Sequence, residues 1–346
     1  MDNVFLLLCI SIGVVVFFDF TNGFHDAADM IATCIASRAM KPGMAILLVT
    51  TFTFLGPFVG GLAVADTVGQ FVRIQGQTPL FAETIVLAAI LAAVCYNLLT
   101  WKLGLPTSSS NSLVGGLVGS GLYAMGSGSV NWGFSALLHG ELTGVVKIII
   151  GLFISPLAGF IGGFLLMGLF MRLFRRLSFK SRKLFIFSQY LTTAWLGFTH
   201  GTNDAQKGMA IIGMLLLSSG RYPVYTIPDW AILLCATSIT LGTLFGGWSI
   251  IKTMGFGLYR IRTLHSVADQ IGSALVISAA TAIGAPCSTT QVVTSTLLGV
   301  GAQEKPRHVH WTTALSIVKG WLFNLPVSAL IGAVFMMILS HLWGVQ

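Results

Sequence analysis

Residues 21–28 read TNGFHDAA. They close an apolar run, VFLLLCISIGVVVFF at 4–18, that suits the inside of a bilayer. His25, Asp26 and, just beyond, Asp29 are costly there, because an ionised side chain at mid-bilayer costs about 2.5–3.5 kcal/mol on insertion scales. The pattern returns at 199–206 as THGTNDAQ, which places Asp204 under Asp26 at an offset of 178 residues. A second pair lies downstream: GLPTSSSNSLVGGLVG at 104–119 over GAPCSTTQVVTSTLLG at 284–299, with Pro106 over Pro286 at an offset of 180. Two independent landmarks share nearly one offset, so the chain reads as a duplicated half.

Composition places the duplicate in a membrane. The 346 residues are 55% hydrophobic and 9% charged, against about 25% charged in a soluble domain. Apolar runs at 44–65, 83–101, 145–171, 230–251 and 312–340 approach or exceed the roughly 20 residues that span a bilayer. A barrel would show short alternating strands instead. The start, MDNVFLLL, has no basic n-region, so it reads as a retained first span rather than a signal peptide. Cys9, Cys34, Cys95, Cys235 and Cys287 are scattered through apolar sequence without a CxxC and read as small apolar residues. The net charge of +8 is no sign of nucleic acid, since six of the nineteen Lys and Arg fall in RLFRRLSFKSRK at 172–183. In a membrane protein such a cluster marks a cytoplasmic loop; an anionic-lipid or partner patch is the other reading.

Each half follows one order: a span running into the G-x-[HN]-D motif, read as a helix break; full spans; a Pro-Ser/Thr turn opening a Gly-rich helix; and a long apolar stretch with an internal proline, Pro156 or Pro326. Interrupted hydrophobic segments at matching places in two halves point to the binding site of a secondary transporter. The expected architecture is an all-α polytopic membrane protein of two inverted repeats, with broken helices, re-entrant Ser/Thr turns and about 10–12 membrane segments. The repeats are 1–171 and 189–346, joined by a basic cytoplasmic linker at 172–188.

Four of the eleven Asp and Glu, namely Asp19, Asp26, Asp29 and Asp204, lie in or beside the two motifs. One reading makes them helix caps at the membrane surface. The other has Asp26 and Asp204, one from each half, bind a cation or proton, and recurrence of the motif favours it. PTSSS at 106–110 and PCSTT at 286–290 suit helix starts. Taken singly, each is a helix cap. As a symmetric pair in apolar sequence, with free N–H groups and the hydroxyls of Ser108, Ser109, Ser110, Ser288, Thr289 and Thr290, they suit a tetrahedral oxyanion. No G-x-S-x-G or Ser-x-x-Lys pattern accompanies either turn to support a serine nucleophile. An anion beside carboxylates is repelled by roughly 4 kcal/mol per charge pair 4 Å apart at an effective dielectric of 20. Binding is therefore conditional on protons or cations that neutralise the aspartates, which is the physical basis of symport.

NGFHDAADMIAT, LGLPTSSSNSLVGG, HGTNDAQKGMAI and GAPCSTTQVVTS resemble, in content and order, the signatures of the inorganic phosphate transporter (Pit) family, in particular its bacterial low-affinity branch. The resemblance covers nearly the whole chain. It implies uptake of inorganic phosphate across the inner membrane, driven by protons, with phosphate carried largely as a neutral complex with a divalent metal such as Mg²⁺. Relatives that use sodium or carry sulfate supply the alternatives. By position, Asp26 and Asp204 match the family's motif aspartates, which would hold the proton, Na⁺ or the metal travelling with phosphate, and His25 and Asn203 precede them. Thr107, Ser108, Ser109 and Ser110, with Ser288, Thr289 and Thr290, match the phosphate turns. This chain departs in having Asp29 where the family usually has Asn, an extra carboxylate for one more cation or proton or for a hydrogen bond from protonated phosphate, and Asn111 and Gln291 where it usually has His. That leaves the coupling ion less determined than the substrate, because two groups that titrate near neutral pH are missing.

Other residues carry two readings each. His25 is either a proton relay or a hydrogen-bonded spacer. Lys207, aligned with Asp29, either snorkels to the surface or offsets a carboxylate at the site. Asn22 and His200, aligned with each other, orient the motif. Inorganic phosphate and membrane lipid are the expected partners, with no nucleic acid and no permanently bound cofactor, and a homodimer is one expectation for assembly. The rival functions are a sulfate or other oxyanion permease, an intramembrane hydrolase using the aspartate pair, and a channel.

Overall fold

The computed structural model describes residues 3–69, 76–175 and 182–344. Among them every regular element is helical. The first half holds α1 (Asn3–Ala36), α2 (Pro42–Val59), α3 (Ala63–Gly69), α4 (Pro79–Lys102), α5 (Ser109–Met125), the five-residue α6 (Phe134–Leu138) and α7 (Gly144–Leu173). The second holds α8 (Arg182–Ser218), α9 (Asp229–Phe245), α10 (Trp248–Phe256), α11 (Thr263–Ala282), α12 (Thr289–Glu304) and α13 (Trp311–Trp343). With α6 set aside, the order in the first half is repeated in the second, down to a 3₁₀ turn after α5 and another after α12. Half of the basic loop expected at 172–183 falls on residues 176–181, outside the described residues, and residues 182–188 already belong to α8.

The packing repeats with the order. α1 lies on α9 as α8 lies on α2, and α5 packs on α13 as α12 packs on α7. α1 meets α4 as α8 meets α11, and α10 meets α1 as α3 meets α8. The two short helices also hold corresponding points. Thr67 on α3 donates to the carbonyl of Gly284 (2.7 Å), and Thr253 on α10 donates to that of Gly104 (3.1 Å). Each of those glycines precedes a Ser/Thr turn of the opposite half. Both take positive φ, +68° at Gly104 and +65° at Gly284, as a non-helical connection requires of glycine.

The breaks do not fall where the sequence suggests. α1 passes through 21–28, and α8 through 199–206, without interruption. The motif glycines serve close packing instead. A Cβ on Gly23 would lie 2.0 Å from the Ile239 carbonyl oxygen of α9, and one on Gly201 would lie 2.1 Å from that of Thr53 in α2. Helix interruptions occur at the Ser/Thr turns, between Lys102 and Ser109 and between Ala282 and Thr289, and at a 68° bend between α9 and α10.

Among the described residues ten helices have sixteen or more residues. Five are long and apolar enough by themselves to cross a membrane, or six when α9 and α10 count as one bent span. Three of the others fall short for two reasons. α5 and α12 reach only about 25 Å at 1.5 Å per residue, less than the hydrocarbon core. α8 carries His200, Asn203, Asp204, Gln206 and Lys207 into the interior, which lowers its hydropathy. The lipid-facing wall is plain on α7 and α13, where Phe153, Leu157, Leu165, Phe323 and Leu330 are exposed. An apolar surface that extensive belongs against lipid.

Candidate substrate and cation site

The two motif segments and the two turns converge. Asp26, from α1, and Asp204, from α8, are both buried, and oxygens of the two lie with a ring nitrogen of His200 inside one 4.8 Å cluster. Each aspartate is met by a hydroxyl of the second turn: Thr290 Oγ1 donates to Asp26 Oδ1 at 2.9 Å and Thr289 Oγ1 to Asp204 Oδ1 at 3.3 Å. The turns also touch each other, because Ser110 Oγ donates to the Cys287 carbonyl at 3.0 Å.

The helix starts explain why these hydroxyls point inward. Ser108 and Ser288 have extended backbones and cap α5 and α12, accepting from the Asn111 N–H (3.1 Å) and the Gln291 N–H (3.3 Å). For these two residues the capping reading holds. Thr107 is spent on the Thr100 hydroxyl at 2.8 Å. The next two residues of each helix then project into the space between the halves. Ser109 is buried, and its hydroxyl makes no hydrogen bond among the described residues, so it is the turn hydroxyl left open to a ligand.

The surroundings of the carboxylates differ. Asp204 Oδ1 accepts from Lys207 Nζ at 2.6 Å, and its Oδ2 lies 3.4 Å from His200 Nδ1 and 3.5 Å from Asn22 Nδ2. Lys207 is 1% exposed, so it does not snorkel. The Asn203 amide, with its oxygen accepting from Thr281 Oγ1 (2.9 Å), donates to the Cys287 carbonyl (3.2 Å) and to Asp204 Oδ1 (3.1 Å). At the other end His25 Nδ1 lies 3.0 Å from Asp26 Oδ1, and His25, Asp26 and Asp29 each place a ligand atom within one 4.8 Å cluster. Both oxygens of Asp29 and Nε2 of each histidine are buried without partners among the described residues. A buried ionised carboxylate with no donor is unfavourable unless a proton or cation joins it. The donor set fits a hard cation or a proton, since it offers carboxylate oxygens and one imidazole.

Asn111 and Gln291 are placed elsewhere. They line a cavity of about 350 Å³ against Phe153, Pro156 and Trp321, with their amide oxygens unpartnered among the described residues.

The sequence profile of the phosphate transporter family matches residues 22–332 of this chain. The chain belongs to the phosphate transporter family. A probable low-affinity inorganic phosphate transporter of Bacillus subtilis (strain 168) is 38% identical over 347 residues, covering 99% of this chain and 100% of its own. Its counterpart in Rhizobium meliloti (strain 1021) is 37% identical, covering 95% of each. A solved structure described as the sodium-dependent phosphate transporter superposes with a TM-score of 0.85, covering 97% of this chain and 99% of its own at 22% identity. That likeness establishes a shared fold.

The geometry of this family member also brings in residues that the motifs do not contain. Asn324 Nδ2 donates to the Ser108 carbonyl at 2.7 Å and Trp321 Nε1 to that of Pro106 at 2.9 Å, so α13 holds the first turn in place. Asn97 Oδ1 accepts from Ser112 Oγ at 2.9 Å and ties α4 to α5. Gln206 Oε1 accepts from the N–H groups of Val64 and Ala65 (2.9 and 3.0 Å), so α8 caps α3. Asp269 on α11 is fully buried with both oxygens unpartnered among the described residues. The signal for these residues is a lone polar side chain within an apolar run, as in WLFNLP and AAVCYNLL.

Proposed function

We propose that the chain is a secondary active symporter that imports inorganic phosphate across the inner (plasma) membrane, driven by protons, with phosphate moving largely as a neutral complex with a metal such as Mg²⁺. One observation carries the reading: a buried carboxylate from each half bonded to hydroxyls of a Ser/Thr turn that also touches the opposite turn. The names of the bacterial relatives support the substrate. The two halves, closing with α7 at Leu173 and opening again with α8 at Arg182, form inverted repeats joined by a cytoplasmic linker, and two copies pair as a homodimer.

Phosphate sits between the turns, held by Ser109 and Ser110 from one and by Thr289 and Thr290 from the other, on the N-terminal N–H groups of α5 and α12. In the present arrangement Thr290 spends its hydroxyl on Asp26. A proton or cation taken up by Asp26 competes for that oxygen and releases the hydroxyl to the anion. Neutralising Asp26 and Asp29 also removes repulsion worth about 4 kcal/mol per pair at 4 Å. Cation and phosphate therefore raise each other's affinity. The site is buried, so access requires helices to part first on one face and then on the other, and the contacts of α3 and α10 with the turns are the ones that must open.

A sodium-coupled version is the second reading. The unpartnered Asp29 oxygens beside Asp26 suit a small hard cation, and the structural neighbour is itself named as sodium-dependent. Radiolabelled phosphate uptake into proteoliposomes tests both readings, with a proton gradient, a sodium gradient or neither, with excess sulfate and with Mg²⁺ varied. Proton-driven, sulfate-resistant uptake that rises with Mg²⁺ is the expected result. Uptake driven by sodium alone selects the second reading, and sulfate uptake in place of phosphate overturns the substrate.

A further inference from the structure

The two halves of the site differ by one charge reversal. Asp29 and Lys207 stand at the same place in the repeat, 178 residues apart, each three residues after its motif aspartate. In the second half the chain supplies a cation: Lys207 Nζ donates to Asp204 Oδ1 at 2.6 Å, with both side chains buried. Lys207 is the one buried Lys or Arg among the described residues. In the first half the same position adds a negative charge. Asp29 is 0% exposed, and neither of its oxygens has a partner among the described residues. It shares a 4.8 Å cluster of ligand atoms with His25 and Asp26. Two buried carboxylates that close together call for a compensating positive charge, and among the described residues no lysine or arginine forms an ion pair with either.

We infer that Lys207 is a tethered cation that permanently fills one of the two cation sites generated by the duplication, so the mobile coupling cation binds only at His25, Asp26 and Asp29. The inference rests on the symport reading above and fixes its stoichiometry: the chain itself neutralises Asp204, and transport carries one cation fewer than a chain with two open sites. The assignment also explains the asymmetry of the motif. A lysine is a point charge on a long flexible stem with three donors, so at i+3 on α8 it reaches the carboxylate without a change in the helix.

The test is the number of cations moved per phosphate by the full-length protein in proteoliposomes. It is read from the phosphate accumulation reached against a fixed gradient of the proton or sodium ion that drives uptake, with the membrane potential clamped at zero. Lys207→Asn opens the second site and is expected to add one cation per phosphate, so a tenfold gradient accumulates about tenfold more phosphate than in the wild type. A purely structural lysine would lower the yield or the rate and leave the accumulation ratio unchanged, and that result overturns the inference.

Because Lys207→Asn strips a partner from a buried carboxylate, a second variant builds the mirror image. Asp29→Lys places a tethered cation beside Asp26 with the same i,i+3 spacing. It is expected to abolish the dependence of phosphate affinity on proton or sodium concentration in equilibrium binding of radiolabelled inorganic phosphate. Wild-type cation dependence retained in Asp29→Lys overturns the inference. A wild-type protein that takes up phosphate with no response to either gradient removes the symport reading itself, and the assignment of Lys207 falls with it.

Discussion

Asp204 and Asp26 hold equivalent places in the two halves and live in different company. Lys207, Thr289 and the Asn203 amide gather on Oδ1 of Asp204, with His200 and Asn22 at longer range on Oδ2. Asp26 is met by Thr290 and His25 on one oxygen, and its neighbour Asp29 has no partner among the described residues. A carboxylate with a tethered cation and several donors is a fixed part of the scaffold. One with few donors and a second carboxylate beside it is poised to take up charge. The two halves thus give similar frames, and on the inference above the exchange of Asp29 for Lys207 is what gives them different duties.

The comparison can be broken most severely at its fixed end. Asp204→Asn leaves Lys207 buried without its carboxylate, and removing one partner of a buried pair costs about 3–5 kcal/mol. The expected outcome is a large fall in the thermal unfolding midpoint and in folded yield, measured on detergent-purified protein. Asp26→Asn should behave differently. Protein is expected in the membrane at near wild-type level, while cation-driven uptake falls by more than about 30-fold, the low end for truncating a buried, hydrogen-bonded charge. Equal stability losses in the two variants would erase the distinction between the ends.

The turns sharpen the comparison at a finer scale. Thr290→Val removes a hydrogen bond to a carboxylate, worth about 1.5–3 kcal/mol, whereas Ser110→Ala removes one to a neutral carbonyl, worth about 1 kcal/mol. Half-saturating cation concentration, measured by uptake, should therefore shift more in Thr290→Val than in Ser110→Ala. The smallest effect belongs to the cap. Ser108→Ala costs about 1 kcal/mol of stability, visible as a modest drop in unfolding midpoint, and leaves the cation dependence of uptake in place.

Much of this site was legible in the sequence, for physical reasons that can be named. Asp26 and Asp204 stand out because carboxylates are rare in apolar runs, and their near-equal spacing from Pro106 and Pro286 is enough to pair them. The helix starts at Ser109 and Thr289 follow from proline and capping chemistry. The continuity of α1 and α8 was not legible. Gly23 and Gly201 read as helix breaks locally, and only the approach of α9 and α2 shows that they are packing contacts. Nor could the sequence apportion the hydroxyls. Ser108 and Ser288 cap, Thr289 and Thr290 meet carboxylates and Ser109 stays open, and that division depends on contacts between residues up to 264 positions apart. Asn324, Asn97 and Asp269 lie outside the repeated motifs, so the duplication gave no hint of them.

The central claim is that anion binding at the turns is conditional on a cation at Asp26. The most direct measurement is equilibrium binding of radiolabelled phosphate to the purified protein across a series of proton and sodium concentrations, for the wild type and for Asp26→Asn. The account predicts that wild-type affinity rises with the coupling cation and that the dependence vanishes in Asp26→Asn. Wild-type affinity that stays flat in both series, or an undiminished cation dependence in Asp26→Asn, would contradict it.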